Sequence, residues 1–143
     1  MSSEEKDEEK VSVERLSLKD FNISDEYDTV TAEDPLKEAA GKLITLKNGV
    51  VFVMSGDVPV GIIAGEEVIA AVSDGKGPET PCREVASTRI LKISYDIKMT
   101  ELIPLLVKER PRAIAVMDEN EHFKGYFSPK DYTEALKKAG IIP

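Results

Sequence analysis

Two stretches of this chain read alike at a nearly constant distance. Gly125-Tyr126-Phe127-Ser128-Pro129-Lys130-Asp131-Tyr132 has the outline of Gly61-Ile62-Ile63-Ala64-Gly65-Glu66-Glu67-Val68, 64 residues earlier. An internal repeat decides the architecture before any single residue does. Ile93-Ser94 matches Val30-Thr31 at an offset of 63, and Ala113 to Met117 matches Val50 to Met54. Met99, Leu102, Ile103, Leu106 and Val107 match Leu36, Ala39, Ala40, Leu43 and Ile44 at the same offset. The turn Asp118-Glu119-Asn120-Glu121 is one residue longer than Ser55-Gly56-Asp57, which accounts for the step from 63 to 64.

Each copy reads as strand, helix, strand, strand, helix. Thr29-Val30-Thr31 is extended, and Asp34-Pro35 reads as N-cap and first helical residue. Leu36, Ala39, Ala40, Leu43 and Ile44 recur at helical spacing and predict one apolar face. Asn48-Gly49 is expected to end that helix. Val50 to Met54 and Val58 to Ile63 read as strands, and Glu66 to Val72 as a short helix. In the second copy, Thr100 as N-cap would put Pro104 in the first turn, where no backbone bond is lost. Asp131 to Ala139 is the last helix, with Tyr132, Ala135 and Leu136 inward and Gly140 as its stop. Neither copy is large enough to bury its own sheet and helices well. The expected fold is therefore mixed α/β (α+β): two tandem β-α-β-β-α repeats packed sheet to sheet with pseudo-twofold symmetry. Expected boundaries are an acidic tail over 1–15, a first repeat over 16–74, a linker over 75–82 and a second repeat over 83–140.

Within the first segment, Met1 to Lys10 is charge-dense and reads as a solvated tail or an acidic interaction arm. Val11, Val13, Leu16, Leu18 and Phe21 then offer apolar anchors that suit a short strand or a short helix.

The net charge of -8 argues against nucleic acid or an anionic membrane surface as the main partner. Cys82 is the only cysteine, so no intrachain disulfide can form, which fits a reducing cytosol. No apolar run approaches membrane-spanning length, and the acidic start lacks the pattern of a secretory signal.

The closing stretch carries the most chemistry. Ser128 reads as an N-cap, Pro129 as the first helical residue and Asp131 as an acid in the first turn. A hydroxyl, a carboxylate and free N–H groups would meet where a strand ends and a helix begins. That suits a small polar ligand with hydroxyls and a phosphate; an ordinary cap with an acid favouring the helix dipole uses the same residues. Other chemistry is thin. His122 beside a turn reads as a solvated residue, and Cys82 has no partner base nearby. There is no zinc-type cluster, no Walker-type loop and no calcium-loop spacing in the acidic turn. No catalytic constellation is expected, nor a metal.

On these residues each repeat resembles a cystathionine-beta-synthase (CBS) domain, and the pair resembles a Bateman module. Thr31 and Ser94 stand at the hydroxyl position of the opening strand. Ile114-Ala115-Val116-Met117-Asp118 stands at the central strand, with Ala115 in place of the family's proline. Gly125 to Asp131 fits the closing motif in full. In the first repeat, Val51-Phe52-Val53-Met54-Ser55 lacks the proline and the aspartate, and Ala64 and Glu67 replace the Ser/Thr and the Asp. The resemblance implies adenosine-type ligands in clefts between the repeats, with the Asp on the ribose hydroxyls and the Ser/Thr near the phosphate. Carried over by position, it implies one cleft formed by Ser128, Asp131 and Tyr126 with Ile23, Asp28, Asn48 and Gly49. It implies a weaker second cleft formed by Ala64 and Glu67 with Leu91, Pro111 and Arg112.

Two readings of function follow. The first is a cytoplasmic regulatory module, not an enzyme, that binds AMP or an S-adenosylmethionine-like compound and works as a homodimer. The second is a ligand-free module that dimerises or docks to a protein partner. Ser128 and Asp131 favour the first; Asp28 and the degraded first motif favour the second.

Overall fold

The computed structural model describes residues 16–20, 23, 26–47, 49–138 and 140. The tail expected over 1–15, with Val11 and Val13, lies outside them, as do Phe21 and Asn48. The described chain runs β1 (Tyr27–Thr31), α1 (Leu36–Thr45), β2 (Val50–Ser55), β3 (Val58–Ile63), α2 (Gly65–Ser73), then β4 (Ile90–Ser94), α3 (Met99–Glu109), β5 (Ala113–Met117), β6 (Phe123–Phe127) and α4 (Pro129–Lys138). This is the expected β-α-β-β-α order, twice. Each repeat makes a three-stranded sheet with its second strand in the middle, parallel to the first and antiparallel to the third. Each central pairing shifts register at an equivalent place, Val53/Met54 and Val116/Met117.

Among the described residues, buried apolar side chains fall into three clusters. One lies under the helices of the first repeat, around Val30, Leu36, Val51, Val53 and Ile63. Another lies under those of the second, around Ile93, Met99, Leu102, Ile114 and Phe127. The third joins the sheets and combines Val50, Phe52 and Ile62 with Ala113, Ala115, Met117 and Tyr126. Both central strands are buried on both faces, which explains their continuous apolar runs.

The repeats also exchange their leading segments. Leu18, in a 3-10 turn over Leu18–Asp20, is fully buried in the core of the second repeat. Cys82, in a 3-10 turn over Cys82–Glu84, is fully buried in the core of the first. The same exchange fixes the helix starts. The N–H groups of Leu36 and Lys37 donate to Thr80 O (2.8 Å) and Pro78 O (2.9 Å), and that of Met99 donates to Leu16 O (2.9 Å). Orphan donors of α1 and α3 are thus satisfied by the other repeat's leading segment.

Three local expectations are corrected by this arrangement. Helix α1 starts at Leu36, with Pro35 at the cap position and no side-chain cap. The Asp34 carboxylate accepts the Thr31 N–H at 2.8 Å instead. Helix α3 starts at Met99 rather than after Thr100, because Leu16 supplies a partner there. Pro104 is therefore inside the helix and removes a bond that Thr100 would have accepted. Finally, the apolar faces are narrower than their spacing implies: Ile44 is 85% exposed and its equivalent Val107 69%.

Candidate functional site

Helix α4 begins where β6 ends, and its first turn holds the closing motif. Ser128 is buried. Its Oγ accepts the Asp131 N–H at 3.0 Å, and Asp131 Oδ2 accepts the Ser128 N–H at 3.1 Å. The two side chains expected to hold a ligand therefore also cap the helix reciprocally. A carboxylate offers about four lone-pair sites, so one cap bond does not exhaust its accepting capacity. Helix and N-cap together put the positive end of a helix dipole on this spot.

Ile23, in the first repeat's leading segment, packs its side chain against Gly125 of β6: a Cβ there would sit 2.7 Å from Ile23 Cγ2, so any larger residue at 125 would have to displace that side chain. In the first sheet Tyr27 pairs with Val50 and Asp28 with Val51, and Gly49 precedes that pairing beside Glu26. The Asp28 carboxylate accepts the Thr29 N–H at 2.7 Å and stands 3.8 Å from Lys42 Nζ. Gly49 has no room for a side chain, since its Cβ would be 2.6 Å from Glu26 O. Tyr126 packs its ring between the sheets, 5.7 Å from Phe52. Burial pushes its phenol up to about 12; the charges of Tyr132 and Asp131 add to the rise and Arg112 opposes it.

At the pseudo-equivalent place, α2 begins with Ala64, which has no hydroxyl to cap with. Glu67 Oε1 accepts the Ala64 N–H at 2.9 Å. The rest of that carboxylate faces Arg112, which enters from the second repeat. Arg112 Nε donates to Oε2 at 3.2 Å, and Nη2 donates to Oε1 and Oε2 at 2.9 and 3.0 Å. These bonds push the guanidinium further above its already high range, against an opposing effect of burial. Leu91 packs on the core beneath α3. Pro111 lines a groove between α3 and α4 with Ile103, Leu106 and Tyr132.

Residues set aside in the sequence remain outside both places. His122 is exposed, and its N–H donates to Asp118 Oδ1 at 2.9 Å. Burial pushes the Cys82 thiol up to about 11, with Asp34 and Glu38 adding to the rise. Among the described residues, no three His, Cys, Asp or Glu side chains gather to hold a metal ion. No described helix is long and apolar enough to cross a membrane.

Comparison with known proteins gives the fold a context. Residues 82–138 match the family model of the CBS domain. No curated protein matches the chain. Among solved structures, a CBS domain-containing protein of unknown function from Bacillus anthracis superposes with a TM-score of 0.72 at 14% identity, covering 90% of this chain and 98% of that one. A CBS domain pair/ACT domain protein from Thermotoga maritima gives 0.64 at 16% identity, covering 87% and 98%. The cytosolic domain of the Mg2+ channel MgtE, in complex with ATP, gives 0.64 at 17% identity, covering 86% of this chain and 53% of that one. At such identities the likeness speaks for the fold.

Proposed function

From a chain whose residues 82–138 are a CBS domain, and whose described fold is that of a CBS pair, we propose a regulatory binding module, not an enzyme, that takes one adenosine-containing ligand per chain. The observation that carries this reading is the first turn of α4. There a hydroxyl, a short carboxylate and a helix N-terminus converge. Asp131 would accept the ribose hydroxyls through charge-assisted bonds. Ser128 and the helix N-terminus would face the phosphate. Ile23, Asp28, Asn48 and Gly49 would complete the cleft, and Tyr126 would back it. The ATP-bound MgtE domain has a related fold, which supports a nucleotide as the ligand class. AMP or an S-adenosylmethionine-like compound suits this chain better than ATP. The net charge is -8, and Lys130 is the only basic residue of the closing motif.

A homodimer belongs to the same reading. Ile44 on α1, Ile69 and Val72 on α2 and Val107 on α3 are all large, apolar and exposed. Exposed apolar faces of this kind suit a second copy. The single buried thiol of Cys82 supports a cytosolic setting. A ligand-free docking module, recruiting a protein partner, is the second reading. It is favoured by the reciprocal cap and by the Asp28–Lys42 pair, which already occupy several of these polar groups.

Native mass spectrometry of the full chain with AMP, ATP and S-adenosylmethionine separates the two. The expected result is a dimer that carries one AMP or S-adenosylmethionine per chain and holds ATP more weakly. Binding of none of the three at high micromolar concentration would leave the docking module standing.

A further inference from the structure

We propose that Glu67 and Arg112 form a one-sided clamp: a built-in ion pair that occupies the second cleft and ties the repeats together there. The geometry is specific. Glu67 belongs to α2 of the first repeat, and Arg112 lies just before β5 of the second. The Glu67 side chain is only 10% exposed and that of Arg112 29%. Three N–H···O bonds link them, the fork-like contact that a guanidinium makes and an ammonium cannot. Both partners are held from behind. Glu67 accepts the Ala64 N–H, the Arg112 N–H donates to Arg89 O at 2.7 Å, and Arg89 Nη2 donates to Arg110 O at 2.7 Å. Exposed Glu66 adds a second carboxylate 3.3 Å from Arg112 Nη2.

The asymmetry with the other side is what makes this a device rather than an incidental pair. Glu67 is equivalent to Asp131 at an offset of 64, and Arg112 to Gly49 at an offset of 63. A long acid faces a long base on one side; a short acid and a glycine mark the other. No clamp can form at Gly49, where even a Cβ would collide with Glu26 O. The guanidinium takes up the carboxylate on which a diol ligand would depend. The clamp stands on this geometry alone, whether or not the first cleft binds an adenosyl ligand.

The test is a double-mutant cycle in the full chain, with Glu67→Gln and Arg112→Met, read by urea unfolding. Each single change is expected to lower the folding constant roughly tenfold, because each strands a largely buried partner, and the double variant to lose little more than either. Losses that simply add would overturn the clamp. If a single variant does not fold, the swap Glu67→Arg/Arg112→Glu decides: recovery of folding upholds the pair, and no recovery overturns it. Amide exchange reads the one-sidedness. In Arg112→Met, residues 61–67 should exchange at least tenfold faster while 125–131 keep their rates. Equal acceleration on both sides would overturn the one-sided claim.

Discussion

Cut between residues 76 and 77, the chain is expected to yield two fragments, neither of which folds alone. Each half carries a complete β-α-β-β-α order, so the order alone would allow independent folding. The exchanged segments do not. Fragment 1–76 lacks Cys82, Val85 and Ala86, which pack on its own core, and the carbonyls of Pro78 and Thr80 that satisfy α1. It also loses Ser87, whose backbone bridges Ile62 in both directions at 2.9 Å. Fragment 77–143 lacks Leu18, fully buried among Ile93, Met99 and Phe127, and the Leu16 carbonyl on Met99. Each fragment further exposes one face of the inter-sheet core. Burying one such aliphatic side chain contributes about 1.5–3 kcal/mol, so a few lost residues exceed what a small half could spare. Circular dichroism and amide spectra of each fragment should show little fixed structure, and mixing should restore it. Two soluble fragments with separate cooperative transitions would contradict the exchange.

Phe52→Ala should destabilise the chain by about 3–5 kcal/mol, out of the 5–15 kcal/mol typical of a folded domain. Phe52 is fully buried at the centre of the sheet-to-sheet contact. Its ring lies 4.8 Å from Phe123, 5.7 Å from Tyr126 and 5.9 Å from Tyr27, in edge-on geometries. Two of those rings belong to the other repeat, so truncation empties a cavity on the boundary itself. Edge-on pairs add about 0.5–1.5 kcal/mol beyond area, which is why Phe52→Leu should cost less than Phe52→Ala but still be measurable. Urea unfolding of the three proteins gives the numbers. A loss below about 1 kcal/mol for Phe52→Ala would mean that the sheets do not depend on this cluster.

Much of this arrangement was legible in the residues. The 63-to-64 offset shows the repeats, and Val50 to Met54 and Ala113 to Met117 read as matching strands; their burial on both faces is seen only in the fold. Ser128 and Pro129 gave the start of α4, because the cap lies within the local sequence. The starts of α1 and α3 were not legible, because their capping carbonyls come from Pro78, Thr80 and Leu16, far away in the chain. Thr100 is a good cap by type, yet the donor at Met99 found a tertiary partner instead. Leu91 and Pro111, expected at the second cleft, touch the second repeat's core and the groove between α3 and α4 respectively. The Glu67–Arg112 pair was half visible. Aligning the repeats sets a long acid against Asp131 and a long base against Gly49, and that joint substitution was the signal for an ion pair across the boundary.

Titration calorimetry with AMP on the wild type, Asp131→Asn and Glu67→Gln tests the proposed cleft most directly. Asparagine keeps an oxygen for the Ser128 N–H cap while removing the charge. A ribose hydrogen bond to a charged group is worth roughly 1.5–3 kcal/mol. Asp131→Asn should therefore weaken AMP by on the order of ten- to a hundredfold. One AMP per chain in the wild type, a loss of that size in Asp131→Asn and unchanged affinity in Glu67→Gln are the predicted results. Two equivalent sites, or a loss confined to Glu67→Gln, would contradict the assignment of the ligand to the Ser128 and Asp131 cleft.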